Sequence, residues 1–230
     1  MCSSLGTMGI LIAIDGPAGS GKSTVAREVA RRLHFSYVDT GAIYRCLALR
    51  VHENGVSEGD DGAIAQLASD LPMRIHTDEN GQRFILAGRD VSADIRSEKI
   101  SRLASVVSGH KKVREKLLDL QRRLGKEAKK GAVLEGRDIG TVVFPNAEFK
   151  FFLTASNEER AKRRFEELEQ RGEKASFDNV MQEITERDER DSKRDVAPMV
   201  PAADARMVDT THLSLEAVIE SIVRVINESN

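Results

Sequence analysis

Ile10-Leu11-Ile12-Ala13-Ile14-Asp15-Gly16-Pro17-Ala18-Gly19-Ser20-Gly21-Lys22-Ser23-Thr24 decides the fold. Its first part is a short unbroken apolar run, the pattern of a strand buried on both faces. Its second part fits G-x-x-x-x-G-K-[ST] at every defined position. Val25, Val29, Ala30 and Leu33 then recur at helical spacing. The chemistry explains the order. Glycines let backbone N–H groups turn inward and approach phosphates closely, and the following helix presents its positive end to the anion. Gly16, Pro17, Ala18, Gly19, Ser20 and Gly21 are therefore expected to cradle a nucleoside triphosphate. Lys22 supplies a point charge at the β- and γ-phosphates. Ser23 offers a hydroxyl to Mg²⁺, and Thr24 an oxygen near the α-phosphate. A chance glycine-rich turn would not bring both the apolar strand and the amphipathic helix.

Outward from this stretch the chain alternates. Phe35 to Val38, Ala132 to Glu135, Phe149 to Leu153 and Arg206 to Asp209 read as further strands. Helices are expected near Gly41–His52, Glu98–Ser108, Val113–Lys129, Ser156–Gln170 and Phe177–Asp191. The clearest helix is the last. Leu215, Val218, Ile219, Ile222, Val223 and Ile226 form one apolar stripe behind Ser214 as N-cap. Such alternation implies a parallel, five-stranded α/β sheet with helices on both faces. The middle differs: Met73–Thr77 and Arg83–Leu86 flank Asp78-Glu79-Asn80-Gly81, a hairpin signal. It predicts a small antiparallel subdomain inserted at about 60–105. The core would then comprise about 9–59, 106–155 and 195–230, with a helical pair at about 156–194.

Composition bounds the rest. The 230 residues are 40% hydrophobic, enough to bury a core. Lys and Arg number 35 against 37 Asp and Glu, a net charge of −2, whereas dedicated nucleic-acid binders are usually strongly basic. Cys2 and Cys46 cannot make a disulfide framework, which points to a reducing compartment. Met1 to Met8 lack the basic and apolar regions of a leader, and Met8 reads as an alternative start. No apolar run is long enough to span a bilayer. A cytoplasmic protein without membrane or nucleic-acid partners is the expectation.

A phosphate loop names the nucleotide, not its use. The Asn-Lys-x-Asp of guanine readers is absent, and the nearest Walker-B candidate, Val133-Leu134-Glu135, ends in Glu. A small phosphotransferase fits better than a GTPase or a motor. Asp39-Thr40-Gly41-Ala42-Ile43-Tyr44-Arg45, Glu135-Gly136-Arg137-Asp138-Ile139-Gly140-Thr141-Val142-Val143-Phe144-Pro145, Glu186-Arg187-Asp188-Glu189-Arg190-Asp191-Ser192-Lys193-Arg194 and Ala197-Pro198-Met199-Val200-Pro201-Ala202-Ala203-Asp204-Ala205 complete the picture. With these four motifs the sequence resembles the bacterial cytidylate (CMP) kinases over nearly its whole length. The last three motifs are quite family-specific, while the phosphate loop is shared by many kinases.

The resemblance implies the nucleoside-monophosphate-kinase variant of the P-loop fold, acting as a monomer. It implies ATP, CMP and dCMP as partners, with transfer of the γ-phosphate to give CDP or dCDP, and Mg²⁺ accompanying ATP. Carried over by motif, Thr40, Arg45, Ser105, Arg114, Arg137, Asp138, Asp191 and Arg194 should form the CMP site. Asp191 and Arg194 are read there as the pyrimidine readers, with Ser105 helping, and Asp138 as a ribose contact.

The residues themselves agree with this assignment. Phosphoryl transfer asks mostly for positioning and charge stabilisation, and guanidinium groups are suited to phosphate. Arg137 follows an apolar strand, at the sheet edge where α/β folds bind ligands. By spacing alone, Asp191 and Arg194 would be an ordinary i,i+3 ion pair on one helical face. Arg160, Arg163, Arg164, Arg187 and Arg190 lie on the helical pair, as solvated Glu–Arg faces or as a lid over ATP. Arg187, with one or more of Arg160, Arg163 and Arg164, is expected to reach the migrating phosphoryl, with Arg160 and Arg164 at ATP, beside Lys22, Arg137 and Asp138 as the catalytic set. Ser23 is the expected metal ligand, with Asp15 and Asp39 as outer partners. The five histidines show no ligand spacing. Two other readings stand beside this one: a P-loop kinase of another acceptor, and an RNA-binding NTP switch, which the 4% aromatic content disfavours.

Overall fold

Ile10–Asp15 forms β1, and all of it beyond Ile10 is buried, as its apolar run requires. A computed structural model describes residues 9–78 and 81–229. Cys2, the alternative start at Met8 and the Glu79-Asn80 pair of the hairpin turn lie outside the described residues. The elements that follow are α1 (Lys22–Leu33), β2 (Ser36–Asp39), α2 (Thr40–Glu53), α3 (Asp61–Ser69), β3 (Met73–Asp78), β4 (Gly81–Leu86) and β5 (Arg89–Asp90). Then come α4 (Glu98–Val107), α5 (Lys111–Lys126), β6 (Gly131–Gly136), β7 (Phe149–Thr154), α6 (Asn157–Gln170), α7 (Phe177–Lys193), β8 (Arg206–Asp209) and α8 (Leu215–Glu228).

The main sheet runs β2-β6-β1-β7-β8, and every pairing in it is parallel. β1 is central, so the turn after it opens at the sheet's C-terminal edge, where α/β folds place ligands. Successive side chains of β1 point to opposite faces. Ile12 and Ile14 pack with Val25, Val29, Ile219 and Ile222 of α1 and α8. Leu11 and Ala13 pack on the other face with Leu134, Ile139 and Phe144. From Val218 to Ile226 the apolar stripe of α8 thus has its partner, whereas Leu215 in its first turn is exposed, and Ser214 Oγ accepts from Ala217 N at 3.2 Å as the helix cap.

A second core joins α2 and α5 to the inserted segment. Ile43, Leu47, Ile64, Phe84, Ile95 and Leu117 are fully buried in it. The antiparallel β3-β4-β5 sheet covers this core. Leu168, Val180 and Ile184 make a third, smaller core between α6 and α7. The insertion is more helical than the sequence pattern predicts. α3 is only nine residues long, and just Ile64, Ala65 and Ala68 of it are buried, too short a stripe to stand out by periodicity. Asp60 starts it by accepting from Ala63 N at 2.9 Å. The helix expected to reach Lys129 ends at Lys126. Ile139–Val143, read only as part of a motif, forms a π-type turn after β6. Among the described residues, no helix is long and apolar enough to cross a membrane.

Candidate active site

The Gly16–Ser23 loop joins β1 to α1 at the centre of the sheet. Gly16 has φ 146°, and a Cβ there would sit 2.0 Å from the Leu153 carbonyl oxygen on β7. Only glycine fits against that strand. Gly21, the residue before α1, has φ 87°, again a left-handed conformation that glycine adopts without strain. Lys22 is buried, and its Nζ donates to the Pro17 carbonyl at 2.5 Å. Burial, then the Arg137 charge, pull its pKa well below the ordinary lysine value. An anion in the loop would relieve both.

Ser23 sits under a carboxylate. Its Oγ donates to Glu135 Oε2 at 2.9 Å, and the Tyr37 hydroxyl donates to Glu135 Oε1 at 2.5 Å. Glu135 is buried, and burial, then the Asp39 charge, raise its pKa. The β2–β6 pairing sets this geometry, because Tyr37 lies opposite Val133 and Asp39 opposite Glu135. Thr40 Oγ1 donates to the Glu135 carbonyl at 2.6 Å. Asp39 accepts from Ala42 N at 2.9 Å, capping α2, and from Arg45 Nη2 at 2.7 Å. Asp15 differs from its expected role as an outer metal partner. Its oxygens accept from the backbone N–H of Ile139 at 2.9 Å and Gly140 at 2.8 Å, so it holds the π-type turn. Burial raises its pKa to about 6.

The groups expected at Mg²⁺ fit that ion. A hydroxyl and a carboxylate are the hard oxygen donors it takes, and it keeps several waters. The Ser23 proton points at Glu135, which leaves its lone pairs free for a cation. A dication beside Glu135 would also offset the like charge of Asp39. Among the described residues, no group of three His, Cys, Asp or Glu side chains could hold a metal.

Across from the loop, arginines and aspartates from four segments meet. Arg137 Nε donates to Asp191 Oδ2 at 2.9 Å. Arg114 donates to Asp138 Oδ2 through Nη2 and to the Ser108 carbonyl at 3.2 Å through Nη1, with its guanidinium 5.4 Å over the Tyr44 ring. Arg194 Nη2 lies 3.5 Å from Asp138 Oδ1. Burial opposes ionisation of Asp191, but Arg137, Arg187 and Arg194 outweigh it and hold its pKa below the carboxylate range. Burial and then Arg137 lower Arg187 to about 10. Among the described residues, Arg45 Nε, Arg187 Nε and Arg194 Nη2 are buried without a hydrogen-bond acceptor. Ser105 is buried on α4, and Arg190 Nε approaches its Oγ at 3.5 Å.

The reading of Asp191 and Arg194 as an i,i+3 pair needs correction. α7 ends at Lys193, and Arg194 turns out into an extended conformation, φ −66° and ψ 142°. Asp191 engages Arg137, whereas Arg194 engages Asp138 and the Ala197 carbonyl. On the helical pair, Arg160 reaches the loop, donating to the Ala18 carbonyl at 2.9 Å. Arg163 instead donates to Thr210 Oγ1 at 3.0 Å and to its carbonyl at 2.7 Å. Arg164 pairs with Glu167 on its own helix, and among the described residues no hydrogen bond or ion pair ties it to the loop. Sequence reading missed Asp188, which pairs with Arg160 at 2.5 Å and accepts from Ala18 N at 3.4 Å. It also missed Tyr37, Tyr44 and Glu135 as members of the site. The Glu135 signal was present as the polar end of an apolar strand.

Comparison with known proteins bears on what this arrangement is for. A family profile described as "Cytidylate kinase" matches residues 12–228. The cytidylate kinase of Geobacter sp. (strain M21) is 44% identical over 220 residues, covering 96% of this chain and 94% of that one. That of Pelotomaculum thermopropionicum is 48% identical over 213 residues, covering 92% and 93%. A crystal structure of an uncharacterized protein from Eubacterium ventriosum aligns with a TM-score of 0.50 at 13% identity, over 95% of this chain and 98% of that one, a likeness of fold alone. Profile and relatives span phosphate loop, insertion and arginine cluster together, and on that ground the chain belongs to the cytidylate kinase family.

Proposed function

We propose that the chain transfers the γ-phosphoryl group of ATP to the phosphate of CMP, giving ADP and CDP, with dCMP as a second acceptor. The observation that carries this is the crowding of like charge. The charges of Arg137 and Arg187 lower the proton affinity of Lys22, and those of Arg137 and Arg45 lower that of Arg187. A fold keeps cations together against repulsion where an anion is to be bound. Here the anions are the triphosphate at the loop and the acceptor phosphate opposite.

In this reading the backbone of Gly16–Gly21 and Lys22 hold the β- and γ-phosphates, with Thr24 at the α-phosphate. An oxygen of the CMP phosphate attacks the γ-phosphorus in line as the bond to the β,γ-bridging oxygen breaks. Lys22, Arg137 and Arg187 neutralise the charge spread over the moving group. Ser23, backed by Glu135, would hold Mg²⁺, which when bound shields the triphosphate charge. Arg45, with Thr40 at its helix start, and Arg137 orient the acceptor phosphate. Asp191, Arg194 and Ser105 face the cytosine, and Asp138 fixes Arg114 and Arg194. α6 and α7 act as a lid that brings Arg160 and Arg187 over the nucleotides and excludes water.

ADP release in a coupled assay, with MgATP and CMP, dCMP, UMP, AMP or GMP in turn, tests the assignment. Strong turnover with CMP and dCMP and little with UMP or purines is expected. Turnover with none of the five would remove the acceptor assignment.

A further inference from the structure

Tyr37 plays no part in the reading above, yet it makes one of the shortest hydrogen bonds at the site, 2.5 Å from its hydroxyl to Glu135 Oε1. The bond is directional. Glu135 has two oxygens, and Tyr37 holds one while Ser23 Oγ donates to the other at 2.9 Å. The Ser23 hydroxyl has a single proton. While that proton is committed to Glu135, the lone pairs of Ser23 Oγ face away from the carboxylate and are free to bind a cation. If Glu135 rotated, the Ser23 proton could turn into the cation's place.

Tyr37 is itself held from two further sides. Its carbonyl oxygen accepts from Gln82 Nε2 of β4 at 2.7 Å. The Arg27 guanidinium of α1 sits 5.9 Å over its ring. Through β2 the ring is fixed beside β6, where Val133 is its register partner. A phenol anchored by the main sheet, the inserted sheet and α1 can define one carboxylate rotamer.

We propose that Tyr37 is a positioning residue for the nucleotide-bound metal: it locks the Glu135 carboxylate, which in turn sets the Ser23 hydroxyl for Mg²⁺. This rests on the phosphate-loop half of the kinase reading and is independent of which acceptor is used. Outer hydrogen-bond partners of metal ligands matter by about 10–100-fold in metal affinity.

The test is Tyr37→Phe, which keeps the ring and removes the donor. Mn²⁺ affinity of the enzyme–ADP complex is read by electron paramagnetic resonance, and the Mg²⁺ half-saturation of turnover is measured in parallel. Both are expected to weaken by about tenfold, with the KM for CMP unchanged. Unchanged Mn²⁺ affinity in a variant of lowered thermal stability would make Tyr37 merely structural and overturn the proposal. If the variant does not fold, the unsubstituted chain labelled with 3-fluorotyrosine replaces it. Its two tyrosines, Tyr37 and Tyr44, give two ¹⁹F signals. Adding Mg²⁺ to the ADP complex should shift the Tyr37 signal, and an unmoved signal would also overturn the proposal. The Mn²⁺ and ¹⁹F readouts need no CMP, so failure of CMP turnover and failure of this proposal remain distinct.

Discussion

The phosphate loop and the arginine–aspartate cluster opposite it are built on different principles. The loop is nine consecutive residues, 16–24, and its geometry is a property of backbone. Gly16 is pressed against Leu153 so closely that no side chain fits. The cluster draws Arg45 from α2, Arg114 from α5, Arg137 and Asp138 from the turn after β6, and Arg187, Asp191 and Arg194 from α7 and its end. Its geometry is a balance of charges, with Asp138 shared by Arg114 and Arg194 and Asp191 held among three arginines. A local site tolerates little substitution of backbone shape. A dispersed one depends on each counter-charge being present.

Removing the charge at the loop should therefore cost the most. Lys22→Met is expected to lower kcat by about 10²–10³-fold, the size of losing one preorganised group at a developing charge. CMP binding by calorimetry should stay within about twofold, since Lys22 is on the donor side. A matching loss of CMP affinity would break the distinction between the two regions. Asp191→Asn strikes the other region. It leaves Arg137 and Arg187 without their carboxylate, and kcat/KM for CMP should fall about 10–100-fold, which is about 1.4–3 kcal/mol. ADP affinity should hold. The pH dependence has a definite sign. Because the folded state holds the Asp191 pKa below its ordinary 3.8, the stabilisation is full above that value and lost as pH falls through the lower folded pKa. The variant should lack this acid-side loss in chemical denaturation as pH falls below 3.8.

The same contrast explains what sequence could tell. The loop and β1 were legible because backbone conformation is written in consecutive glycines and an apolar run. The hairpin strands and α8 were legible for similar local reasons. α3 was not, since three buried residues make no visible stripe. The cluster was readable only through family motifs. Spacing alone assigned Asp191 and Arg194 to each other, and nothing local signals that α7 stops at Lys193 and sends Arg194 toward Asp138. Asp188, Tyr37 and Tyr44 act through partners between 28 and 170 positions away or on another element, as in the Asp188–Ala18 contact, and such pairings exist only after folding. Asp15 shows the converse: an acid beside a phosphate loop invites a metal role, yet two backbone N–H groups take it.

The smallest expected effect lies at the seam where the inserted segment meets the helical pair. Glu183 on α7 faces Glu98, the first residue of α4, and is held at a pKa of about 7 by partial burial first and then by that second carboxyl. Arg164 lowers it and Glu186 raises it. Two carboxyls this close share a proton or repel. A carboxyl whose folded pKa is raised stabilises the folded contact fully below its ordinary 4.5 and loses that contribution as pH rises through about 7. The α4–α7 seam should therefore loosen between about pH 5 and pH 8. Glu183→Gln supplies an amide donor to Glu98 at every pH, so the fall in melting temperature across that interval should flatten. As Glu183 is mostly solvent-facing, the change should not exceed about 2 °C. A slope as steep in Glu183→Gln as in the unsubstituted chain would mean that this carboxyl pair does not join the two regions. The separate behaviour of loop and cluster would then owe nothing to the seam.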